Sequence, residues 1–219
     1  MRLRDYLGID RTRQKQASWA MQVLMFAIFV IALDRGEMGT VVNTGVALGV
    51  TQLVPLLERD YDVPMDPALT LWITTAVFLH AVGTFGYRPG AAGAYQSLWW
   101  YDHLTHALSA SVVAAVGYSA TRAIDLHSPD VNLPSRFMFV FILLFVLAFG
   151  VFWEVIEFAI TLTAEALGGE TILTQYGIED TMLDLLFNTG GAIVVATWGT
   201  AYLTDVTGAI QEKLQARAD

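Results

Sequence analysis

Between Arg136 and Glu154 the chain runs FMFVFILLFVLAFGVFW, seventeen residues without one charged, amide or hydroxyl side chain. About 20 such residues cross the hydrocarbon core of a bilayer as a helix. In lipid the backbone has no water to bond to, so it must satisfy its own polar groups, and a single segment does that only as a helix. The run has company. The 219 residues are 55% hydrophobic, with a mean hydropathy of +0.50. The fold class that follows is all-α, a polytopic membrane protein of six transmembrane helices. The expected spans are 17–33, 38–57, 68–86, 102–124, 136–164 and 179–204. No linker interrupts them, so residues 1–219 read as a single integral membrane domain.

Some boundaries carry their own signals. Asp66-Pro67 predicts a helix start with Asp66 as N-cap and Pro67 at the first helical position. Pro134-Ser135 predicts another in the same manner. The basic opening MRLRDYLGIDRTRQK leads into an apolar run with no small-residue cleavage site, so the first span is expected to serve as its own targeting signal. Gly45 and Gly49 form a GxxxG pair, and Gly190-Gly191 a second small-residue site, both expected to bring helices close. Asn43 and Gln52 are expected to hydrogen-bond between spans.

Lys and Arg set the orientation. Arg2, Arg4, Arg11, Arg13 and Lys15 precede the first span. With six spans, Arg59, Arg122, Arg136, Lys213 and Arg217 fall on the same side, leaving Arg35 and Arg88 on the other. Both termini are therefore expected in the cytoplasm, with the chain in the plasma membrane. Glu154 then lies about 27 Å from Arg136 along its helix, near the outer surface. Asp102, His103 and His106 open the fourth span at that surface. Asp180, Asp184 and Asn188 descend from it in the sixth, and His80 lies in the outer half of the third. Four spans thus carry polar residues at a similar depth.

Charged residues inside spans are costly and face a protein interior or a wet cavity. Here they also fall on shared helix faces. His103 and His106 are three apart, as are Glu154 and Glu157 in FWEVIEF. Asp180, Asp184 and Asn188 in EDTMLDLLFN follow at intervals of four. Carboxylates that converge in this way need a compensating cation, shared protons or a metal ion. Arg88 is the nearest candidate cation in the chain. Mixed imidazole and carboxylate donors suit zinc, manganese or iron. The candidate ligands are Asp102, His103, His106, Asp180, Asp184 and His80. Glu154 and Glu157 are the candidate catalytic bases, with Asn188 and Arg88 in supporting places.

The composition also excludes chemistries. There is no cysteine, hence no disulfide, thiol nucleophile or thiolate site. The sequence lacks a His-Glu-x-x-His helix, a Gly-x-Ser-x-Gly elbow and a phosphate-binding Gly-rich loop with its lysine. Lys15 and Lys213 are the only lysines and both lie outside the spans, so a Schiff-base chromophore has no attachment point. A net charge of −9 without a basic face argues against nucleic acid. Membrane lipids are the expected partner, and a homo-oligomer stays open.

HAVGTFGYRPG, YDHLTH, FWEVIEF and DTMLDLLFNTGGA, in that order over residues 78–195, resemble the YjdF-like family of inner-membrane proteins. The last span is also distantly similar to the VanZ-like family. The resemblance implies a six-span fold and supplies no reaction. Three functions fit the residues. The leading one is a metal-dependent hydrolase of a lipid or lipid-linked substrate at the outer face. A proton or cation transporter is the second, although spans 3 to 5 are nearly apolar in their inner halves. A non-catalytic protein with a structural polar or metal cluster is the third.

Overall fold

The structure, a computed structural model, describes residues 10–167, 177–198 and 203–218. The helices in chain order are α1 (Arg11–Arg35), α2 (Met38–Tyr61), α3 (Pro67–Thr84), α4 (Ala94–Ser97), α5 (Tyr101–His127), α6 (Ser135–Leu167), α7 (Ile178–Trp198) and α8 (Thr204–Ala218). Among the described residues there is no strand. Six helices, all except α4 and α8, are long and apolar enough to cross a bilayer. The protein is a multi-pass membrane protein. Arg2 and Arg4 of the basic arm lie outside the described residues, as do residues 199–202 of the expected sixth span.

Helix ends follow local chemistry. Asp10 caps α1 by accepting from Arg13 N at 2.8 Å, and Asp66 caps α3 by accepting from Ala68 N at 2.8 Å with Pro67 behind it. The turn between α1 and α2 closes on Gly36 (φ 69°), with Gly36 N bonded to Leu33 O and Glu37 N to Ala32 O. That left-handed C-cap is the geometry glycine adopts without a Cβ penalty. α3 stops at Thr84, two residues before the expected end, because Phe85 turns to an extended conformation (φ −86°, ψ 119°). Pro134 falls just before α6 and its carbonyl accepts from Met138 N at 3.0 Å, so Ser135, not the proline, opens the helix.

The chain divides into two compact units, residues 1–61 with 65–101, and residues 62–64 with 102–219. In the first, α1, α2 and α3 pack pairwise around Met25, Ala47 and Ala81, with Leu48, Val77 and Phe78 against them. The connector after α3 folds back tightly on it. The face of Gly83 is covered by the Tyr95 ring, Gly93 lies on the Gly83 carbonyl, and Arg35 Nη1 donates to Gly86 O at 2.9 Å. Gly45 meets only the Phe29 ring and nothing lies within 4 Å of a Cβ placed on Gly49, so the GxxxG pair is not a close helix crossing. Gln52 bonds to its neighbour Thr51 instead of reaching another span, and Asn43 donates to Gly39 O in its own helix.

In the second unit α5 and α7 run parallel, with α6 antiparallel to both. Three glycines set the approach. Gly191 of α7 lies directly on the Ala107 carbonyl of α5, Gly117 of α5 takes the Phe145 ring of α6, and Gly150 of α6 takes Asn188 and Leu185 of α7. Small residues let the helices come close enough for dispersion and side-chain bonds to hold them where lipid offers no hydrophobic drive. α8 docks at the far end of α5, where Gln211 Nε2 donates to Leu126 O at 3.1 Å, and its Lys213 pairs with Asp62 at 3.5 Å. The expected Gly190-Gly191 pair splits: Gly191 is packed and Gly190 is open. Gly191→Leu should therefore destabilise the protein by about 1–3 kcal/mol through overpacking, whereas Gly190→Ala should leave it unchanged or slightly firmer. Thermal unfolding in detergent checks the contrast.

Candidate metal centre

The first two turns of α5 carry Asp102, His103 and His106. Asp102 and His106 are one turn apart, and His106 Nε2 lies 3.5 Å from Asp102 Oδ1. Across from them, α7 presents Asp184, only 1% exposed. Its two oxygens serve two rings: Oδ1 is 3.0 Å from His103 Nδ1, and Oδ2 is 3.8 Å from His106 Nε2. The His103 ring stacks on Phe187 at 4.9 Å with 9° between planes, which fixes its orientation. The Gly191 contact lies two turns further along α7 and draws the α7 backbone against α5. That approach is what lets a side chain as short as aspartate reach both imidazoles.

α6 supplies the third side. Glu154 is buried and accepts from Thr181 Oγ1 at 2.9 Å. Glu157 accepts from Trp153 Nε1 at 3.0 Å. Two groups of possible ligands result, Asp102 with His106 and Asp184, and His106 with Glu154 and Glu157. Within each, one donor atom per residue lies within 4.8 Å of the others. A tetrahedral ion with nitrogen and oxygen ligands holds its donors about 3.4 Å apart. Side-chain shifts of roughly an ångström close either group on an ion.

The charge balance sharpens this. Four carboxylates gather here, and among the described residues Arg122, Arg136 and Lys213 of this unit sit elsewhere. Arg122 is sixteen residues beyond His106 on α5, about 24 Å away, and it pairs with Asp125. Arg136 is about 27 Å from Glu154. Lys213 pairs with Asp62. Burying an uncompensated carboxylate costs several kcal/mol, so imidazoles, protons or an ion must offset these charges.

The remaining expected residues fall in distinct places. His103 lies outside both ligand groups and holds Asp184, as residues behind metal ligands commonly do. Asp180, half-buried in the first turn of α7, acts electrostatically on Asp102 and Asp184 but belongs to neither group. Asn188 is buried one turn beyond Asp184, against Gly150. His80 and Arg88 belong to the first unit. There His80 Nδ1 meets Tyr95 Oη at 2.5 Å, and the exposed Arg88 guanidinium lies 5.3 Å over the Tyr87 ring. Thr181, Trp153 and Phe187 escaped sequence reasoning. Trp153 had a signal, since it stands four residues before Glu157 on one helix face.

The His103–Asp184 contact should be strongly coupled. In a double-mutant cycle of His103→Ala and Asp184→Ala, the two losses of stability should fail to add by about 0.5–3 kcal/mol. Unfolding in detergent measures it, and additive losses would contradict the contact.

No curated protein and no solved structure matches the chain. The sequence profile of a family of predicted membrane proteins, DUF2238, matches residues 17–205. The match takes in α1 and α2, where the motifs carried no resemblance. The YjdF-like resemblance is consistent with it, while the VanZ-like likeness of the last span gains no support. With most of its length matched, the chain belongs to the DUF2238 family of predicted membrane proteins.

Proposed function

We propose that the cluster is a divalent-metal centre and that the protein is a metal-dependent hydrolase of a lipid or lipid-linked substrate. One observation carries the reading: three helices bring His106 within ligand distance of two carboxylate pairs in a buried site. Asp102, His106 and Asp184 hold the ion, and His103 fixes the Asp184 carboxylate. All donors are nitrogen or oxygen, which suits zinc, manganese or iron. Such an ion supplies Lewis acidity and a water poised to ionise near neutral pH. Glu154, held at one oxygen by Thr181, and Glu157, held at one oxygen by Trp153, would serve as the proton acceptors beside the ion. The distribution of Lys and Arg supports cytoplasmic termini and a site facing the outer side of the plasma membrane.

Metal content by elemental mass spectrometry, on protein purified without chelators, tests the reading. The expected result is near-stoichiometric zinc, manganese or iron in the wild type, lost in His106→Ala and Asp184→Ala. Folded wild type that binds none of these ions, even when they are supplied, would overturn it.

A further inference from the structure

Three helices of the second unit act as rulers for the depth of the site. Each carries, away from the cluster, a residue that marks a membrane boundary. On α5 this is Arg122, paired with Asp125, whose other oxygen accepts from Leu133 N at 2.7 Å in the following loop. On α6 it is the exposed Arg136, two residues after Pro134. On α7 it is Trp198, 62% exposed. Cations and indoles belong at the interface between water and lipid. At a rise of 1.5 Å per residue, His106 lies about 24 Å from Arg122, Glu154 about 27 Å from Arg136, and Asp184 about 21 Å from Trp198. The hydrocarbon core is about 30 Å thick. The three rulers therefore agree that the site lies roughly 3–9 Å inside the near face. An average tilt of about 20° shortens each by only about 6% and does not move the site to the midplane.

The near side agrees. Trp153 is 38% exposed while its indole N–H holds Glu157. An amphipathic ring of that kind favours the interfacial layer. Glu165, exposed on α6, stands eleven residues beyond Glu154, about 16 Å further out and clear of the core.

Headgroups add about 5–7 Å on each side of the core, so a site at this depth meets the place where headgroup joins chains. Bonds near the midplane, about 15 Å down, are out of its reach. Building on the hydrolase reading, we propose that the substrate bond is the linkage of a membrane lipid, the carboxylic ester or phosphoester between headgroup and chains. The oxygen of water adds to the carbonyl carbon or to phosphorus, and the bond to the leaving oxygen breaks. The proton taken by the glutamate passes to that oxygen, so the products are an acid and an alcohol.

The chain has no cysteine, so a single introduced one is labelled uniquely. Leu104 and Leu183, 43% and 37% exposed, each adjoin a site residue. Spin labels at Leu104→Cys and, separately, Leu183→Cys should show oxygen and nickel-chelate accessibilities of a depth within about 10 Å of the headgroup boundary. Labels reading at the midplane would overturn the placement. Metal-loaded wild type is then placed in vesicles of diester phospholipid or of its ether analogue with the same headgroup. Fatty acid released from the diester alone identifies the carboxylic ester. Headgroup released from both identifies the phosphoester. No product from either, with metal bound, would overturn the substrate class. A chain that binds no metal contradicts the hydrolase reading instead, and the label depths still decide the placement.

Discussion

Asp184 is the constraint around which the second unit is organised. A carboxylate at 1% exposure, between two leucines of an apolar helix, is tolerable only where charge or hydrogen bonds answer it. The answer comes from α5, with one imidazole on each oxygen. That pairing needs α7 to lie almost on the α5 backbone, and Gly191 against the Ala107 carbonyl provides it. The same logic brings in α6, where Gly150 gives way to Asn188 and Leu185, and where Thr181 of α7 then reaches Glu154. The glycines are thus part of the site's chemistry, since they set the distance at which short acidic side chains meet.

The two units differ in kind. Buried polar groups in α1 to α3 are Gln14, Ser18 and threonines, with no carboxylate among the described buried residues. Thr40 donates to Thr84 O and ties α2 to α3, while Thr51 donates to Leu48 O within its own helix. In α5 to α7 the buried polar groups include two carboxylates and two imidazoles. Neutral hydroxyls in lipid act as modest adhesives. Buried ionisable groups are too costly for adhesion alone and point to a function.

Much of this was legible in the sequence, because helical membrane proteins write their constraints in a simple code. Uninterrupted apolar runs located the six spans, and intervals of three and four placed His103 with His106, Glu154 with Glu157, and Asp180 with Asp184 and Asn188 on shared helix faces. What could not be read was the division of labour within that set. His103 and His106 look equivalent in YDHLTH, yet the packing of Phe187 and the position of Asp184 set the first against the Asp184 carboxylate and leave the second in both groups of possible ligands. Gly190 and Gly191 likewise look alike, and the rotation of α7 alone decides which one faces α5. His80 meets Tyr95 within the first unit, a contact that the spacing of the sequence did not announce. Tertiary register, which no local pattern encodes, separates these cases.

In the proposed centre three helices converge on one metal-binding imidazole, that of His106. Pulsed electron paramagnetic resonance of the Mn²⁺-loaded protein addresses it directly through nitrogen hyperfine coupling. The account predicts coupling from a single imidazole, retained in His103→Gln and abolished in His106→Gln. Bound manganese without nitrogen coupling, or coupling that survives in His106→Gln, would contradict it.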